Sequence, residues 1–138
     1  MLEQIVKKNI PFTGTFYSRG FDYKGRVSIQ KPLIETLKQR QKVKNNSDIN
    51  LFYKVNQEST LRYIEITDYF PEKEEINFKD YRHIKVDNDN RTLINSHDLF
   101  RASIKKNAKN EKGDEIVFVG HNHKILIYEN QDFKQYIK

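Results

Sequence analysis

Two short stretches of this chain set an Asp and an Arg four residues apart: Asp22 and Arg26 in "FDYKGRVSI", and Asp87 and Arg91 in "VDNDNRTLI". An Asp at the end of a strand accepts backbone N–H groups of a following turn. An Arg opening the next strand is close enough across the hairpin to reach that carboxylate. Gly25 and Asn90 occupy equivalent slots, and both residue types tolerate the left-handed backbone of a tight connection. Each motif therefore reads as a turn with a charge clamp. Pinning the turn and meeting an anionic partner are both open roles for it.

Other groupings that suggest chemistry carry less. "HNH" at His121 to His123 falls between two apolar strands and reads as a polar hairpin turn. "DNDN" at Asp87 to Asn90 lacks the acid or amide that a calcium loop needs at its fifth position, where Arg91 stands, and no Gly follows. Glu72, Glu74 and Glu75 read as a solvated run, and Lys105, Lys106, Lys109 and Lys112 as a solvated helix end. No Ser/His/Asp set, phosphate-cradling Gly loop or pair of acids in a pocket emerges, so neither an enzyme nor a cofactor or metal is expected.

The elements that must position the clamps repeat at a constant spacing of 65 residues. Asp22 falls on Asp87, Arg26 on Arg91, Ile29 on Ile94, Leu51 on Ile116, Tyr53 on Phe118, Leu61 on Leu126 and Tyr63 on Tyr128, without a gap. Each copy reads as a hairpin around the motif, a helix, and a second hairpin. The first hairpins join "GTFYSRGF" to "RVSIQ" and "DYRHIKV" to "RTLIN". In copy one Pro32 suits the first helical turn and the helix runs to Lys44 with Leu33, Ile34 and Leu37 on one face; in copy two Ser96 is the expected N-cap. The second hairpins are "INLFYKV" with "TLRYIEI", and "DEIVFVG" with "KILIYEN"; "NQDFKQYIK" forms a closing helix. The boundaries are residues 12–67 for the first repeat, 68–79 for a linker and 80–138 for the second repeat. One copy of four short strands and a helix is too small to cover its own sheet. The expected fold is mostly β with short helices, an α+β class, the two repeats sharing strands in one small barrel.

Charge is distributed unevenly over the 138 residues. Residues 1–46 hold ten Lys/Arg against three Asp/Glu, residues 47–80 four against eight, and residues 81–138 eleven against eight. The basic excess gathers around both motifs. Such a field suits a polyanion, most often nucleic acid, although a generally Lys-rich surface gives the same totals. Eight Tyr and nine Phe supply the bulk of a folded core, and Cys is absent, which removes disulfides and thiolate chemistry. "MLEQIVKKNI" has no signal-peptide apolar run and no later stretch is long enough to span a membrane, so a cytoplasmic protein is expected.

A strand, D-x-x-x-R, a short apolar strand, a helix and a second hairpin together resemble the swapped-hairpin AbrB fold of prokaryotic DNA-binding regulators and antitoxins. Two fused copies, with "FDYKGRVSI" and the C-terminal "DEIVFVGHNHKILIYENQDFKQYI", resemble the MraZ family over residues 12–138. Where that family commonly has Pro after the second strand of each motif, this chain has Gln30 and Asn95. The resemblance, to a family of DNA-binding repressors, implies a sequence-specific transcriptional regulator of the bacterial division and cell-wall gene cluster, including its own gene, located in the cytoplasm at the nucleoid; repression and activation are both open. It also implies a homo-oligomer, with the ring of the family as one form, on double-stranded DNA with promoter repeats. By the same resemblance Arg26 and Arg91 are the first DNA contacts, Arg19 and Lys24 flank the first, Arg82 and Lys85 flank the second, and Asp22, Gly25, Asp87 and Asn90 shape the turns. Copy one is expected to dominate, having Lys24 where copy two has Asp89. A divergent AbrB-like regulator, or an antitoxin whose main partner is a protein toxin, is the alternative.

Overall fold

The computed structural model describes residues 10–18, 20–57, 61–68, 80–104 and 115–136. Arg19, the linker after Asp68 and the 105–112 lysine run lie outside them. The elements are β1 (Thr15–Ser18), β2 (Arg26–Ser28), α1 (Lys31–Gln41), a 3-10 turn (Asn46–Asp48), β3 (Leu51–Asn56), β4 (Tyr63–Thr67), β5 (Arg82–Ile84), β6 (Arg91–Leu93), α2 (Ser96–Arg101), β7 (Ile116–His121), β8 (Lys124–Glu129) and α3 (Asn130–Tyr136). The class is α+β with strands predominating. No helix among the described residues is long and apolar enough to cross a membrane.

The second hairpins form as their sequences lead one to expect. β3 pairs with β4, and β7 pairs with β8 around a two-residue turn closed by His121 opposite Lys124. Asn122 takes the left-handed conformation there, with φ 56°, so "HNH" is a hairpin turn. The first hairpins do not form as expected. β1 pairs with β7 and β5 with β3, while β2 and β6 leave the main sheet and pair with each other as a two-stranded ribbon. In the second motif the expected hairpin is reduced to an isolated bridge, Val86 with Thr92, and the hydrogen bonds of the turn itself.

These pairings also correct the expected barrel. The main sheet has the order β1-β7-β8-β4-β3-β5 and is open, because its edge strands β1 and β5 pair on one side only. Closure would need β1 to bond to β5. Both instead run out into the Asp–Arg turns, whose continuing strands bond only to one another.

Alternation along the strands sorts the residues between two faces. Leu51, Tyr53, Ile64, Ile66, Ile116, Phe118, Ile125 and Ile127 enter one core, joined by Leu33, Ile34 and Leu37 of α1, Leu99 of α2, and Val27, Ile29 and Ile94 from the ribbon. On the opposite sheet face Val117 and Tyr128 pack with Phe133 of α3. The ribbon and α3 therefore lie on opposite sides of the sheet.

Two helix boundaries differ from expectation for local reasons. α1 stops at Gln41, three residues early, because Lys42 turns left-handed (φ 56°) and its N–H closes on the carbonyl of Lys38. The N-cap of α2 is Asn95, not Ser96; its side chain accepts the His97 N–H at 2.8 Å, the bond that a cap supplies.

Candidate nucleic-acid interface

Both Asp–Arg motifs fold into the same turn. The Asp22 Oδ1 accepts the N–H groups of Lys24 and Arg26, each at 2.9 Å, and its Oδ2 accepts Nε of Arg26 at 2.8 Å. In the second motif Asp87 Oδ1 accepts the N–H groups of Asp89 and Arg91 at 2.9 Å, and Oδ2 accepts Nε of Arg91 at 3.2 Å. Two further backbone bonds close each loop: Asp22 N–H to Arg26 O with Gly25 N–H to Asp22 O, and Asp87 N–H to Arg91 O with Asn90 N–H to Asp87 O.

Gly25 and Asn90 have φ of 85° and 63°. That conformation turns each carbonyl toward the opposite strand: Ile94 N–H donates to Gly25 O at 2.9 Å, and Ile29 N–H donates to Asn90 O at 2.7 Å. The two turns thus extend the ribbon at both ends. The slots are not interchangeable, since a Cβ on Gly25 would lie 2.6 Å from the Ile94 carbonyl oxygen. Gly25→Ala is expected to cost on the order of 1–3 kcal/mol of stability, read as a lowered denaturation midpoint. The Asn90 turn has a further support that nothing in the sequence signals. Asn46 Nδ2 donates at 2.7 Å to both the Asp87 carbonyl and the Asn90 side-chain oxygen.

Partial burial opposes ionisation of Asp22 and Asp87, but the hydrogen bonds and the Arg charge outweigh it and hold both carboxyls below the ordinary carboxylate value. A depressed folded-state pKa contributes stability that is present above the unfolded value and lost as pH falls through the folded one. Both turns are therefore expected to hold at neutral pH and to loosen only below about pH 4, the ordinary Asp value. Amide exchange at Lys24, Arg26, Asp89 and Arg91 that stayed unchanged through acidification to that range and beyond would contradict this.

The ribbon register decides which side chains share a face. Arg26 is opposite Leu93, Val27 opposite Thr92, and Ser28 opposite Arg91. Val27 and Thr92 are buried, so Arg26, Ser28, Arg91 and Leu93 form the outer face. Arg26 and Arg91 are diagonal neighbours, a relation that spaces backbones about 7–8 Å apart. Each is about one-third exposed. The clamp uses Nε of Arg26 and leaves its Nη atoms without a hydrogen-bond partner among the described residues, whereas Arg91 also gives Nη2 to Asp89 at 3.2 Å. Lys24 is exposed beside the first turn with its ammonium 5.7 Å from the Tyr23 ring.

The structure gathers some of the expected residues and separates others. Asp22, Lys24, Gly25, Arg26, Asp87, Asn90 and Arg91 come together at the ribbon. Lys85 is exposed between β5 and the second turn. Arg82 turns its Nε toward α2, 3.0 Å from the buried Asp98 carboxylate, and not toward the second clamp. No family model matches the chain, and no curated protein matches it either.

Proposed function

We propose that the β2·β6 ribbon is the DNA-reading surface of a sequence-specific transcriptional regulator of the MraZ kind, built from two interleaved AbrB-like repeats. The observation that carries this reading is the cross-pairing. Each half's first strand pairs with the other half's third, and the two clamp strands pair with each other. This places two orientated guanidinium groups on one exposed two-stranded ribbon, an element that the major groove of B-DNA admits. The Asp carboxylates hold each guanidinium by Nε, and the outer nitrogens of Arg26 match the paired acceptors of a guanine edge. Lys24 and Lys85 supply phosphate contacts and salt dependence.

Charge grades the two motifs. Asp22, Lys24 and Arg26 sum to one positive charge, and Asp87, Asp89 and Arg91 to one negative, so copy one is the stronger contact. Few contacts per chain make single-site binding weak, and a homo-oligomer repeating the ribbon along spaced promoter sites raises avidity through effective concentration. The activity is binding, in the cytoplasm at the nucleoid, and has no catalytic step or cofactor.

Fluorescence anisotropy with the duplex upstream of the protein's own gene and a shuffled duplex, at about 0.15 M salt, tests this. Preference for the upstream duplex is the expected result. Equal binding to both would leave no specific autoregulator.

A further inference from the structure

A second polar cluster lies between the ends of β3 and β5 and the helix α2. Asp98 is buried there with three partners: the Tyr53 hydroxyl donates to Oδ2 at 2.6 Å, Arg82 Nε lies 3.0 Å from Oδ2, and Arg101 Nη1 lies 3.3 Å from Oδ1. Arg101 also donates from Nε and Nη2 to the Gln57 side-chain oxygen at 3.2 and 3.0 Å. These groups, with Lys54, Tyr81 and a second carboxylate, Asp80, line an open hollow of about 620 Å³.

The fold does not need this cluster. At the 65-residue offset Asp98 corresponds to Leu33 and Tyr53 to Phe118, and the β1 residue paired with Phe118 is Phe16, where Tyr53 faces Arg82. Leu33 and Phe118 are buried in the core with Phe16 packed against it, so the first-half counterparts of Asp98, Tyr53 and its strand partner are apolar side chains. Burying a carboxylate where a Leu serves gives no dependable gain in stability, because desolvation offsets the ion pairs.

We propose that this hollow binds a small organic oxyanion, a carboxylate or a phosphate monoester, through Arg82 and Arg101, with Asp98 as the positioning residue that orients both guanidinium groups. Three observations fix that chemistry. One carboxylate spans both arginines, one per oxygen, and so fixes their spacing. Among the described residues the Nη atoms of Arg82 have no partner, and Arg101 retains one N–H on each Nη, donors whose planar geometry suits oxyanions. The volume lies within the range of metabolite sites. Asn95 N–H donates to the Tyr53 hydroxyl at 3.3 Å. Asn95 lies two residues after the end of β6, so an occupant would adjoin the ribbon through a short stretch of backbone, but the site does not depend on the ribbon's binding DNA.

Calorimetric titration of the full chain without DNA, at constant ionic strength, uses inorganic phosphate, citrate and adenosine 5′-monophosphate as probes. Saturable binding of at least one probe is expected, weakened tenfold or more by Arg82→Gln and by Arg101→Gln, and unchanged by Lys134→Gln on α3. Both arginines are substantially exposed, so these variants should keep the wild-type circular dichroism. Preference for phosphate and nucleotide over citrate would assign a phosphate monoester, and the reverse a carboxylate. No saturation by any probe, or affinity indifferent to both Arg replacements, would overturn the proposal.

Discussion

Replacing both Arg26 and Arg91 with Ala is expected to lower affinity for the specific duplex by roughly a hundredfold or more, each base-contacting Arg contributing about 1–3 kcal/mol. The folded state should survive. Both clamps are part-exposed ion pairs, a class with little net effect on stability, and each turn keeps the two backbone N–H bonds to its Asp Oδ1. Arg26→Ala should cost more than Arg91→Ala, because Asp89 already occupies Nη2 of Arg91 and adds a negative charge beside it. By the same reasoning Asp89→Lys should strengthen binding and steepen its salt dependence. Equal anisotropy curves for wild type and the double Ala variant would remove the ribbon from DNA recognition.

Asp68→Ala is expected to destabilise the protein by on the order of 3–5 kcal/mol, the cost of leaving a buried charge without its partner. Arg40 and Asp68 have fully buried side chains, joined by Nη2 to Oδ1 at 2.7 Å and by Nε to both oxygens at 3.1 and 3.2 Å. Arg40 also donates to the Ile10 carbonyl and stacks 4.4 Å from the Phe12 ring centre, and Gln41 Nε2 reaches Asp68 at 3.2 Å. One guanidinium therefore ties α1 to the end of β4 and to the segment before β1. Replacing both partners together, as Arg40→Met with Asp68→Leu, should recover much of the loss, since an apolar pair carries no desolvation cost. Urea denaturation of the single and double variants checks this. A single variant within about 0.5 kcal/mol of wild type, as ordinary surface changes are, would contradict it.

What could be read from the sequence was local. The Asp–Arg turns follow from Asx chemistry within five residues, and the β3–β4 and β7–β8 hairpins from alternating strands around short polar connections. Leu33, Ile34 and Leu37 declared the buried face of α1 by their spacing. Partner choice was not legible, because period-two alternation says which face a residue takes and nothing about which strand lies beside it. That is why the clamp hairpins were expected to close locally, and why the sheet was expected to close into a barrel. Arg40 was hidden for a related reason: "KQRQK" looks like a solvated helix face until Asp68, 28 residues away, arrives beneath it. Arg82 looked like a companion of Arg91, but its partner Asp98 comes from α2, and no local pattern pairs them.

The most direct measurement attaches a photo-crosslinker at Ser28, on the outer face of the ribbon, and separately at Lys134 on α3, across the sheet, and irradiates each protein with the upstream duplex. Covalent adducts from position 28 and none above background from position 134 are the predicted result. Adducts from position 134 alone, or from both positions equally, would contradict the assignment of the ribbon as the DNA-reading surface.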